Sequence, residues 1–569
     1  MVVSLLFAVI TTLGPIALVV WAIRQRQGAR PVDGRSVRRF FQYVLLYGLM
    51  VVVATGLAEL LGLLLDQPSI VGDDRTTLAR SLTFTLFGIP MLALAAAWTR
   101  RNLRRDPEEA QSLGWVAYVT ALALTALALT MTGVHDVVST ALAGEGLAGS
   151  GLAGAVVWAG VWWGHWMLAQ RMLEPGRRLA LLFLGSLVGL VVSVVGLVLL
   201  LSSAAEALVT TTDVLVLTTR NAVAEAGATV LVGVPVWVLH WARGLARTGR
   251  SAAWLGYVLP VGVGGSTVLA VVGASLAVYQ LLVWLVGEPS SALAVRHFAG
   301  TPVALACAVV GALSWWYHRQ VLGAAGTART EVTRVYDYLM AGVALLAAAA
   351  GAATVLVAAI EAVSPAPAFQ AGSAVVNTLL AGVTLLVVGG PLWWHYWSGI
   401  ARAARSDPPA ELGAPTRRVY LFLLFGVGGI TAVISVLVAA FTAIQGVLAT
   451  GFDLEVLRDM RVPVALLVAA GAVSGYHWTV HREDRARLPQ APPVLRPRYV
   501  LLIGAAEPEA RQEVARRTGS RVELWPRLDA GTPPWHVDDV VAAIEASAAP
   551  AVTVVAGPAG LDVIPMAPR

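Results

Sequence analysis

"LALLFLGSLVGLVVSVVGLVLLL" (Leu179–Leu201) carries no charged residue over its whole length. A helix needs about 20 apolar residues to cross a bilayer, so this run reads as one membrane span. The runs around Leu345–Ile360 and through Val419–Ala443 read the same way. The composition agrees: 57% of the chain is hydrophobic and only 13% charged, against roughly 25% charged in a soluble domain. These runs predict an all-α polytopic protein. Met1–Ile23 has neither a basic start nor a small-residue cleavage site, so it is expected to be a retained first span.

Working outward from the quoted run, "GRR" (Gly176–Arg178) precedes it, and "WWGHWM" (Trp162–Met167) ends the apolar run before that. Related endings recur as "VWVLHW" (Val236–Trp241), "WWYHR" (Trp315–Arg319), "WWHYW" (Trp393–Trp397) and "GYHWTVHR" (Gly475–Arg482), with a degenerate copy ending at Arg101. Aligned on Trp98, Trp166, Trp241, Arg319, Trp397 and Trp478, the copies lie 68 to 81 residues apart. Such a period predicts a repeat architecture. The expected division is a first span and basic loop at 1–35, two-helix repeats at 36–110, 111–175, 176–250, 251–328, 329–412 and 413–482, a Pro/Arg-rich linker at 483–498, and a small α/β domain at 499–569. Six hairpins and the first span make thirteen crossings.

Charge orients this array. The loops after odd-numbered spans, counted through Arg498, hold 28 arginines and the alternate loops hold 6. The positive-inside rule then puts the N-terminus outside and the C-terminus in the cytoplasm. The net charge of +6 arises from arginines beside apolar runs, which implies the lipid bilayer as partner and no nucleic acid. Cys307 is the single cysteine, so no internal disulfide and no cysteine metal site can form.

Trp162, His165 and Trp166 share one helical face, and Trp237, His240 and Trp241 repeat that spacing. His318 and His477 take the same position, whereas Ala97 and Tyr396 replace it in two copies. Two readings apply. Trp and His beside arginine suit headgroup depth, where they anchor a helix. Alternatively, His165, His240, His318 and His477 could serve as haem ligands if two of them met. Interface anchoring and interhelix packing are together the expectation, with lipid or substrate contact a further alternative; no cofactor and no metal is predicted.

Buried acids mark transport paths, and Glu59 is the candidate within its span. Asp66, Glu206, Glu361 and Gln445 recur at the outer helix ends; as helix ends they need no function, and an outer ring that attracts cations is the alternative. In "VLPVGVGGSTV" (Val258–Val268), Pro260 and Gly264 interrupt a span, as residues lining a site do. The outer loops Ser202–Ala226 and Gln445–Arg461 are long enough for short helices, with Leu454, Leu457 and Met460 forming one face of the second.

After the linker, "YVLLIG" and "RVELW" read as strands, with helices from Glu507 and from His536, and "AVTVVAG" and "LDVIPM" as a closing hairpin. "GAAEPEA" lacks the glycine spacing of a nucleotide loop. Trp525 and Trp535 flank Pro526–Pro534; core packing is expected for both, an exposed contact patch being the alternative.

The arginine–aromatic entries at Arg38–Tyr43, Arg177–Leu182, Arg334–Tyr338 and Arg417–Tyr420, with the aromatic–histidine ends, resemble the DUF5671 family of bacterial integral membrane proteins. That resemblance implies two-helix membrane segments across most of 36–482 and implies no activity. The expectation is a noncatalytic scaffold, sensor or partner-binding platform. Its 499–569 region would dock other membrane or cytosolic proteins; a transporter or channel is the alternative, and a membrane enzyme ranks behind both.

Overall fold

The computed structural model describes residues 34–65, 74–209, 213–323, 330–364, 375–451, 453–487, 497–504, 508–526, 536–547, 549–557 and 560–566. Met1–Ile23, Asp66 and Trp535 lie outside the described residues. Two units are separate: Met1–His481 and Arg482–Arg569.

In the first unit, six helical hairpins follow one another. Hairpin 1 pairs Gly34–Leu65 with Asp74–Arg105, hairpin 2 Leu113–Ala143 with Gly149–Met172, and hairpin 3 Pro175–Val209 with Asp213–Trp237. Hairpin 4 begins at Ala252–Tyr257, runs through a π-helical stretch at Val258–Gly265 into Ser266–Leu285, and returns as Thr301–Leu322. Hairpin 5 pairs Glu331–Val363 with Val375–Ser406. Hairpin 6 sets Pro415–Thr450 beside Arg461–Arg487, where the Ser474 hydroxyl donates to the Phe425 carbonyl at 2.9 Å. Among the described residues, eleven helices are long and apolar enough to cross a membrane. Gly149–Met172, rich in glycine and tryptophan, is not one of the eleven, although its 24 residues span about 36 Å at the helical rise.

Glycine lets the two arms of a hairpin touch. A Cβ on Gly133 would stand 2.5 Å from the Ala155 nitrogen, one on Gly311 2.5 Å from the Ala270 nitrogen, and one on Gly389 2.6 Å from the Ala348 nitrogen. Lipid offers apolar side chains no advantage over protein, so close backbone approach is what holds membrane helices together. Between hairpins the packing is sequential. The first arm of one hairpin lies against the second arm of the next: Gly34–Leu65 on Gly149–Met172, Leu113–Ala143 on Asp213–Trp237, and Pro175–Val209 on Thr301–Leu322.

At the end opposite the arginine-rich loops, polar side chains clip neighbours together. His135 Nε2 lies 3.2 Å from the Thr229 hydroxyl. Asn377 bonds both the backbone N–H and the carbonyl of Glu288, and Glu361 pairs with Arg461 at 2.9 Å. The loop joining the arms of hairpin 6 does form a short helix, Leu454–Asp459, capped by Asp453. Its buried residue is Val456, seated on Gly446, rather than the Leu454–Leu457–Met460 face that its periodicity suggests. The last helix continues to Arg487, into the stretch expected as linker.

In the second unit, β1 (Tyr499–Gly504) pairs in parallel with β2 (Arg521–Pro526) and with β3 (Ala551–Gly557), and β3 pairs antiparallel with β4 (Gly560–Met566), giving the order β2-β1-β3-β4. Helices Pro508–Thr518 and Val537–Glu545 bury Val514, Val540, Val541 and Ile544 against Val500, Leu502, Val552 and Val554. Gly519, at φ 70°, ends the first helix in the left-handed conformation that glycine adopts without strain. Trp525 points away from this core and is 56% exposed. Alternation puts it on the sheet face opposite the two helices, which corrects the expectation of core packing.

Candidate functional site

The recurrent helix ends divide into an outward and an inward half. Trp163, Trp316, Trp394 and Trp478 are exposed, as membrane-interface anchors are. The histidines are not. His240 and His318 are 0% exposed, His477 1% and His165 7%. The helical face that carries the histidines turns toward the neighbouring arm, so interhelix packing describes them.

Each of these rings is fixed in the same way. Nδ1 of His165, His240, His318 and His477 lies 2.8–2.9 Å from the carbonyl four residues earlier. That bond places the proton on Nδ1 and leaves Nε2 an acceptor. In His165, Nε2 takes the Tyr118 hydroxyl at 3.1 Å. In His240, His318 and His477 it is buried without a hydrogen-bond partner.

The His240 and His318 rings lie on glycine. A Cβ on Gly185 would come 2.1 Å from His240 Cδ2, and one on Gly262 would come 2.4 Å from His318 Cδ2. These two glycines belong to the first arm of the hairpin whose second arm carries the histidine. The sequence reading missed Gly185. Its signal is position. Gly185 falls seven residues after the entry Arg178, and the same step from Arg39 reaches Leu46, in the hairpin that carries Ala97 where others carry histidine. In these two hairpins glycine accompanies the large ring and leucine accompanies the alanine.

At His165, His240 and His318 this geometry does not fit haem. An axial histidine must open its Nε2 toward the iron. Tyr118 occupies that atom of His165, and the backbone of Gly185 or Gly262 closes over the rings of His240 and His318. Among the described residues no ring contact joins two of the four histidines, and no group of three or more His, Cys, Asp or Glu side chains is arranged to hold a metal.

Aromatic contacts instead run from hairpin to hairpin. Tyr43 meets Tyr118 at 6.0 Å, Trp166 meets His240 at 5.0 Å, Trp241 meets Tyr257 at 4.5 Å and Trp397 meets Tyr420 at 5.8 Å between centroids. Between hairpins 4 and 5 the Arg319 guanidinium lies 5.1 Å over the Tyr336 ring. Pairs of this kind contribute about 0.5–1.5 kcal/mol each beyond burial.

Two buried carboxylates reinforce the seam. Glu109, in the 3-10 turn Pro107–Gln111 between hairpins 1 and 2, receives Arg38 at 3.0 Å, Arg39 at 3.2 Å and the Tyr43 hydroxyl at 3.1 Å. Glu411, in the short helix Pro408–Leu412 between hairpins 5 and 6, receives Arg334 at 3.0 Å and the Tyr338 hydroxyl at 3.0 Å, and Arg417 donates to that hydroxyl at 3.1 Å. Burial pushes the Glu109 carboxyl up, but the Arg39 hydrogen bond and charge, with Arg38 and Tyr43, outweigh it and hold the group below the ordinary carboxylate value. Both turns start with a capping aspartate followed by proline, Asp106–Pro107 and Asp407–Pro408, with the acid three or four residues after the aspartate. That repeated "DP" with its acid was the legible signal, and the sequence reading passed over it.

The remaining candidates sit apart from this seam. Glu59 pairs with Arg80 at 2.7 Å and takes the Ser81 hydroxyl at 2.7 Å, all within hairpin 1, so it is a partnered acid rather than a lone charge. Pro260 is exposed and Gly264 is buried beside Leu339, both in the π-helical stretch Val258–Gly265. A second π-helical stretch, Val238–Ala242, carries His240 and follows Pro235. Proline removes the backbone donor and widens the turn.

Apolar hairpins with close glycine contacts and aromatic, arginine-flanked ends define a polytopic helical membrane protein. The profile of a domain of unknown function, DUF5671, matches residues 39–160, 179–313 and 334–472, and the chain belongs to that family. Each match spans four long helices, so the family's unit here is a pair of hairpins, larger than the two-helix segment expected from the sequence. No curated protein and no solved structure matches the chain.

Proposed function

We propose that the chain is a noncatalytic platform of the bacterial cytoplasmic membrane, with thirteen crossings counting Met1–Ile23, the N-terminus outside and the arginine-rich loops and the 499–569 region in the cytoplasm. The observation that carries this reading is the glycine-to-backbone packing within hairpins, which brings the two arms close together. Charged side chains support it as well, because Glu59, Glu109, Glu361 and Glu411 are taken up by arginines of the same or the next hairpin. The 28-to-6 arginine asymmetry supports the orientation. The 499–569 region acts as the docking module for protein partners, with the exposed Trp525 face as its contact surface.

A transporter or channel is the second reading, favoured by the two π-helical stretches in the middle unit, since such bulges often mark functional sites. The full chain, purified in mild detergent and crosslinked, should retain one or a few proteins through 499–569. Reconstituted into liposomes, it should pass no ion or small solute above protein-free controls. Solute flux without protein capture would replace the platform with the transporter. Reporters fused after Asp106, Thr248 and Asp407 should score cytoplasmic and those after Gly144 and Pro289 external; inversion at two adjacent loops would break the topology.

A further inference from the structure

The three family units each bring one tyrosine from the first arm of their even-numbered hairpin to the histidine of its second arm. The pairs are Tyr118 with His165, Tyr257 with His318, and Tyr420 with His477, at ring separations of 5.6, 5.7 and 5.8 Å. In the first unit the tyrosine hydroxyl bonds the histidine directly. In the second it accepts the indole N–H of Trp237 at 2.8 Å. In the third it does neither.

There the Tyr420 hydroxyl, His477 Nε2 and Trp393 Nε1 are all buried without hydrogen-bond partners. They come from three different helices and belong to one aromatic cluster with Trp397 and Tyr476. Trp393 occupies the place of Trp237, four residues before the aligned tryptophan of its hairpin. By hydrogen-bond geometry no bond joins its indole to the Tyr420 hydroxyl. The Tyr420–His477 rings keep the 73° tilt of Tyr118–His165, so the ring arrangement is intact while the bond is missing. Three unpaired buried polar atoms would each cost roughly 1–3 kcal/mol. Their chemistry is complementary to one guest: an indole N–H donates, an imidazole lone pair accepts, and a phenol does either.

We propose that the third unit binds a hydroxyl group between Trp393, Tyr420 and His477. Its oxygen accepts from the Trp393 N–H, its proton goes to His477 Nε2, and the Tyr420 hydroxyl completes the set. A single buried water supplies this chemistry, and so does the hydroxyl of a lipid-phase alcohol or quinol. Haem fills no role here, and the site stands independently of the platform reading.

Cryo-electron microscopy of the full chain in nanodiscs, at a resolution that shows ordered water, tests this. Density for one oxygen should lie within about 3.2 Å of all three atoms, vanish in Tyr420→Phe, and persist in the control Tyr118→Phe. Isolated density, with nothing stoichiometric in an organic extract of the purified chain, identifies water. Elongated density with one equivalent of an extracted lipophilic alcohol or quinol, lost in Tyr420→Phe, identifies the lipid source. A Tyr420 hydroxyl bonded directly to His477 or Trp393 with no added density overturns the proposal, as does density that survives in Tyr420→Phe.

Discussion

In the first family unit Arg39 and Tyr43 hold the carboxylate of Glu109, and in the third Arg334 and Tyr338 hold that of Glu411. The middle unit puts Arg178, Leu182 and Leu245 in the matching places. Leu182 and Leu245 are buried in one cluster, Leu245 lying in the loop between hairpins 3 and 4 as Glu109 lies between hairpins 1 and 2. Arg178, left without an acid, donates to the Leu173 carbonyl at 2.7 Å and to Gln170 at 2.8 Å. The middle unit thus replaces a polar knot with an apolar plug. It is also the unit with both π-helical stretches and both histidine-on-glycine contacts. The lesson is that one backbone arrangement accepts two chemistries at its loop-side seam. A carboxylate knot is directional and fixes a loop by hydrogen bonds, whereas the plug fixes it by shape.

Removing either fastening gives the largest effect. Glu411→Ala leaves Arg334, Arg417 and Tyr338 facing a buried gap and should destabilise the purified chain by about 3–5 kcal/mol. Leu245→Ala in the middle unit should cost about 2–5 kcal/mol through lost burial and a cavity. Thermal unfolding in detergent at fixed lipid content measures both. A neutral Glu411→Ala would mean that the knot is decoration. Tyr338→Phe should have a smaller effect, about 1–3 kcal/mol, because it removes a hydroxyl that bonds both Glu411 and Arg417.

Smaller again is the pH dependence. The Glu109 carboxyl is held below its ordinary value of 4.5, so its contribution is fully present above that pH and is lost as pH falls through the lower folded value. Acid titration of thermal stability should show a step below pH 4.5 that Glu109→Gln flattens. The middle unit has Leu245 in place of this acid and contributes nothing there; a step that survives in Glu109→Gln comes from other carboxylates.

Much of this architecture was readable from the residues. The apolar runs marked the helices, and the arginine–aromatic entries and aromatic–histidine ends marked the hairpins, because membrane spans must be long, apolar and flanked by interface residues. The four-helix unit was not readable from those markers, since each hairpin carries the same ones. It is set by the three family matches, each of which covers an odd and an even hairpin. For the histidines the residues offered interface anchoring and interhelix packing together, because composition gives depth along a helix and not the direction a face turns. Gly185 and Gly262 held the missing information, as glycines opposite a bulky ring on the paired arm. The strands of the second unit were legible as short apolar runs, and the exposure of Trp525 was marked too, since in "RVELW" it alternates with Val522 and Leu524 and shares a face with Arg521 and Glu523.

The central claim is that the middle unit closes its hairpins by seating histidine on glycine, and a double-mutant cycle on Gly185 and His240 tests it most directly. Gly185→Ala should destabilise by about 1–3 kcal/mol, since its methyl has no space beside His240 Cδ2. Gly48→Ala is the control in the first arm of hairpin 1, where an added Cβ meets nothing within 4 Å. It should be neutral or stabilising by up to about 1 kcal/mol from helix propensity. His240→Ala removes the ring, so the Gly185→Ala/His240→Ala chain should be more stable than the sum of the single changes predicts, with a coupling of about 0.5–3 kcal/mol. Additive single effects, or a Gly185→Ala as harmless as Gly48→Ala, would contradict the account.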